Sequence, residues 1–226
     1  MCFSAQASFT GSAIITAIGI AALTRVRKTE QVPFAGIPII FGIQQCAEGV
    51  LWITLKSGAH ANLQNAATHI FLVTALIIWP TMVPVSVWLI EKNSRRKKLL
   101  SLVIAAGVIV SVFYAFCLFS YNVTPRIQSF HIQYIDEFPH HFVAIAFVLY
   151  LSATITPLFL SSIKRMWLFG VLICISVVVT AVFYAQYLTS VWCFFAALIS
   201  ISIYWILSDV RKTTEQTQGN AQSQAD

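Results

Sequence analysis

A chain of 226 residues that is 58% hydrophobic and only 10% charged lies far below the roughly 25% charged residues of a soluble domain, which excludes that class and indicates an integral membrane protein. The net charge of +6 comes from short basic clusters between apolar runs, a pattern of membrane topology and not of a nucleic-acid groove. Five cysteines with no CxxC pair exclude a zinc ribbon and a thioredoxin motif.

Seven apolar segments reach the length of about 20 residues that a crossing needs. They lie near 8–25, 33–55, 66–90, 98–121, 141–161, 166–187 and 190–208. The expected fold is therefore all-α, an integral membrane bundle of seven transmembrane helices over residues 1–208. The polar, Gln-rich stretch 209–226 cannot bury apolar surface and is expected to be disordered.

The first segment follows MCFSAQASF, which has no positive charge, and precedes the basic RVRK. It is thus a span and not a cleaved signal peptide, and its N-terminus is expected outside. The later loops agree. Arg25, Arg27 and Lys28, then Lys92, Arg95, Arg96, Lys97 and Lys98, then Lys164 and Arg165, then Arg211 and Lys212 put 12 of the 14 basic residues on one side. Only Lys56 and Arg126 fall on the other. The positive-inside rule makes the C-terminus cytoplasmic.

The second span, FGIQQCAEGVLW, carries a carboxylate where charge is expensive. Gln44, Glu48 and Trp52 recur every four residues and share one helix face, with Gln45 beside them. Gly42 and Gly49 are small enough to let another helix approach. Prolines 38, 80, 84 and 157 sit inside spans and mark kinks.

All five histidines (60, 69, 131, 140 and 141) fall at the outer side of this topology, as do Cys2, Gln186, Ser190 and Cys193. The pattern predicts an outer-facing polar cavity built around Glu48. Its expected lining is Gln44, Gln45, Trp52, Cys2 and Cys193. A carboxylate with neutral imidazoles suits a divalent metal such as zinc. The expected ligand set is Glu48 and His69, completed by His140 or His141. A metal-bound water there would serve a membrane hydrolase acting on a lipid or amide. No HExxH, HxxxH or DxH spacing fixes such a site, and three other readings stay open. They are a proton-coupled small-solute carrier, a small-molecule receptor or sensor using Glu48, and a purely structural polar cluster. The expected partners are the lipid bilayer and a small molecule or lipid, with no nucleic acid.

The start MCFSAQASF, the FGIQQCAEGVLW segment, the single His69 and the stretch SVWCFFAALIS together resemble an uncharacterised family of bacterial multi-pass membrane proteins that begin MCFSA. The resemblance covers most of residues 1–208. It implies a plasma (inner) membrane protein and implies no activity. The topology is also similar to the alkaline ceramidase and progestin-receptor-like group of seven-span metal hydrolases. That likeness is one of fold alone. The group's paired HxxxH has no counterpart in the seventh span, SVWCFFAALISISIYWILS.

Overall fold

The computed structural model describes residues 4–208 apart from 59 and 129. Seven helices are long and apolar enough to cross a membrane: Ala5–Leu23, Thr29–Ser57, Ala61–Ile90, Ser94–Ser120, Phe142–Leu160, Arg165–Phe183 and Ala185–Ser208. Each overlaps the segment predicted for it. Their elements are α1 (Ala5–Leu23), α2 (Val32–Ser57), α3 (Ala61–Leu72), a π-helical turn (Val73–Ile78), α4 (Trp79–Ile90), α5 (Ser94–Ser120), α6 (His140–Leu160), α7 (Lys164–Phe183) and α8 (Leu188–Ile199). Between α5 and α6 lie two strands, β1 (Val123–Gln128) and β2 (His131–Asp136).

Local chemistry fixes the ends. Ser4 caps α1 by accepting the Ala7 N–H at 3.2 Å. Asn93 caps α5 by accepting the N–H groups of Arg95 and Arg96. Gly58 ends α2 in the left-handed conformation, φ 63°.

α1 lies against α2 because both present small residues there. A Cβ on Gly42 would collide with Thr16, and the Ser12 hydroxyl donates to the Gly42 carbonyl at 2.7 Å. Small residues allow this close backbone approach.

The third span is where proline reshapes the bundle. A π-helical turn bonds each N–H to a carbonyl five residues back. Pro80 has no N–H for the carbonyl of Ala75, five residues before it. The Tyr150 hydroxyl of α6 donates to that carbonyl instead, at 2.6 Å. Ser111 of α5 likewise donates to the Ile77 carbonyl at 2.7 Å. Pro84 leaves the Pro80 carbonyl unserved in the same way, and the α5 backbone closes on it at Gly107, where any Cβ would strike that oxygen. A neighbouring helix thus satisfies a backbone carbonyl that Pro80 frees.

The stretch between α5 and α6 is an antiparallel hairpin. Its register pairs Val123 with Asp136 and Gln128 with His131. Ile132 is fully buried against Leu51, Trp52 and Ala67. Tyr134 stacks on Phe71 at 5.0 Å, and His131 sits between the rings of Tyr184 and Tyr187. The hairpin therefore roofs one end of the bundle.

The opposite end carries the basic loops. Glu91, just past α4, accepts the N–H groups of Lys92 and Asn93 through Oε1, the Ser162 N–H through Oε2 and the Ser162 hydroxyl through Oε1. Arg96 donates to the carbonyls of Leu160 and Ser161. Together they tie the α4–α5 loop to the α6–α7 loop. Burial alone would raise the Glu91 carboxyl, but these hydrogen bonds outweigh it and hold it below the usual glutamate range.

Candidate functional site

Glu48, Gln44, Gln45 and Trp52 are all buried on the inward face of α2, as their spacing predicts, while Ile43 and Ile53 on the other face are exposed. Glu48 meets α8, where the Ser190 hydroxyl donates to its Oε1. Gln44 meets α4, where the Trp79 indole N–H donates to its Oε1 at 3.1 Å. The Trp79 ring also stacks on Phe41, with centroids 4.0 Å apart. Cys193, three residues beyond Ser190 on α8, lies against the Gln44 side chain. The structure thus joins α2, α4 and α8 through a buried polar cluster.

His69 goes elsewhere. Its Nδ1 pairs with the Asn65 carbonyl one turn back on α3, while Glu48 is engaged with Ser190. Among the described residues no three His, Cys, Asp or Glu side chains come together to hold a metal ion. The side chains of His140 and His141, and all of Cys2, lie outside the described residues.

The open space lies beside the Glu48 cluster. A cavity of about 370 Å³ sits under the hairpin, between the π-helical turn, α5, α6 and α8. Ala75, Tyr114, Tyr134, Val143, Tyr150 and Trp192 are in its wall, and Asp136, Gln186 and Thr189 supply polar groups at the roofed end. Cys193 is in the wall of this cavity, which is not the one expected around Glu48. Gln44, Gln45 and Trp52 are not in this wall. Trp52 packs beneath Ile132 of the hairpin and Gln44 against Trp79.

Sequence reasoning missed Tyr150 and Trp192 as wall residues. Trp192 reads as one of the tryptophans of an interfacial belt, and only the π-helical turn beneath Tyr150 gives its hydroxyl a purpose. The hairpin had a signal that went unused. The two stretches VTPRIQ and HIQYID are rich in β-branched residues and separated by two residues.

Residues 1–219 match a family described as a family of unknown function (DUF6629). No curated protein and no solved structure matches the chain.

Proposed function

The chain belongs to the family of unknown function DUF6629, and we propose that it is a multi-pass membrane protein that binds a small organic molecule beneath its hairpin. The single observation that carries this reading is the roofed cavity of about 370 Å³. Pockets of roughly 300–1,000 Å³ with apolar walls and a few convergent polar groups are the usual form of small-molecule sites. Twelve of the 14 basic residues on one side favour the N-terminus outside, the C-terminus in the cytoplasm and the cavity facing out. The likeness to bacterial proteins that begin MCFSA favours the plasma membrane. A receptor or a carrier is consistent with this arrangement.

A metal-dependent hydrolase has less support. Its two central ligands, Glu48 and His69, hydrogen-bond different neighbours.

The test is a comparison of protein purified from native membranes with a Val143→Trp variant, whose indole would intrude into the cavity. Mass spectrometry of the extracts is expected to find a compound in stoichiometric amount with the wild type and absent from the variant. Equal contents in two equally stable proteins would overturn the reading. Elemental analysis of the same preparations, beside Glu48→Gln and His69→Ala, decides the competing one. Stoichiometric metal lost in both variants would restore the metal site.

A further inference from the structure

The floor of the cavity is also the roof of a second pocket. The lower pocket, about 50 Å³, lies deeper among the helices, lined by Ile37, Phe41, Val83, Leu158, Ile173 and Ala196 among others. Tyr150, Trp192 and Cys193 line both, so these three side chains form the partition between them. A space of this size admits on the order of four methylene-sized groups, judged from the volume one water requires.

The polar atoms near the lower pocket are turned away to other work. The Tyr150 hydroxyl is committed to the Ala75 carbonyl, Thr154 Oγ1 donates to the Tyr150 carbonyl at 2.9 Å, and the Trp79 indole N–H is committed to Gln44. Trp192 differs. Its Nε1 is buried and, among the described residues, has no hydrogen-bond partner. Its ring is held edge-on against Tyr150, centroids 5.5 Å apart. A buried indole N–H without an acceptor is costly, and such a group needs an explanation.

We propose that the ligand is a neutral amphiphile with a carbonyl-type oxygen, that this oxygen accepts the Trp192 N–H at the partition, and that its apolar end enters the lower pocket. The proposal deepens the cavity reading and rests on it. The polar part of the ligand lies under the hairpin near Asp136, Gln186 and Thr189, where the wall offers polar groups. Below the partition only hydrocarbon fits.

The probes are alkyl phenyl ketones of increasing chain length and the matching alkylbenzenes, which keep the shape and lack the acceptor. Binding is measured by calorimetry on protein in lipid nanodiscs, with Val143→Trp protein in identical nanodiscs as the blank for partition into lipid. Wild type is expected to prefer each ketone over its alkylbenzene by roughly tenfold, the scale of one buried hydrogen bond. Trp192→Phe, which keeps a ring and removes the donor, is expected to abolish that preference and retain binding. Ala196→Leu, with Ile173→Phe as a second variant should the first fold poorly, is expected to shorten the preferred alkyl chain and to keep the ketone preference. Equal affinity for the two series in wild type, or an unchanged chain preference in a well-folded lower-pocket variant, would overturn the proposal. So would the absence of saturable ketone binding. In each case the cavity reading still stands or falls on the extracted-compound comparison.

Discussion

The two ends of the bundle are built differently. At the basic end Glu91, only 2% exposed, collects four hydrogen bonds and fastens two loops. At the hairpin end a cavity is left open, and the buried indole N–H of its wall residue Trp192 has no partner among the described residues. The first arrangement is what stability favours, because a satisfied network rigidifies the elements it joins. The second costs stability, because a buried donor is left unpaired beside open space. The Glu48 cluster stands between them, buried like Glu91 but tied helix to helix.

The comparison predicts a gradient of mutational cost. Glu91→Ala leaves the Ser162 N–H and its neighbours without an acceptor and is expected to destabilise the protein by about 3 kcal/mol. Thermal unfolding in detergent measures it, and a cost below that of the cavity variants would reverse the assignment of the two ends. Gly107→Ala drives a Cβ into the Pro80 carbonyl and is expected to cost about 2 kcal/mol by overpacking. Ser190→Ala removes the donor to Glu48 and is expected to cost about 1.5–2 kcal/mol. Tyr150→Phe strips the Ala75 carbonyl of its donor, an interhelical bond worth about 1 kcal/mol in a membrane bundle. Gln186→Ala, exposed at the cavity, is expected to stay within about 0.5 kcal/mol.

Acid should separate the ends by pH. Burial holds His131 of the hairpin below its ordinary value of 6.5. The unfolded chain then takes up the proton first, so the hairpin loses stability as pH falls below 6.5. Glu91 is held below its ordinary 4.5. Its contribution is complete above 4.5 and is lost as pH falls from there through the lower folded value. Hydrogen exchange is expected to show the hairpin loosening near pH 5 with the Glu91 loops still protected. Simultaneous loosening of both ends in the pH 5–6 range would contradict the comparison.

The sequence by itself determined the seven spans and the inward face of α2. Both follow from local rules: the thickness of hydrocarbon sets span length, and the helical repeat places Gln44, Glu48 and Trp52 on one side. It also marked Gly42 as a point of close approach and the prolines of span three as places where backbone groups must find new partners. Tertiary structure alone decided which partners those were. The pairing of Glu48 with Ser190, 142 residues apart in the chain, depends on how α8 is set against α2, and no periodicity encodes that. His69 lies on the span after Glu48, yet its ring is satisfied within its own helix. The cavity was the least legible feature of all. It is a space between four elements and the hairpin above them, and empty volume is a property of packing that no single segment carries.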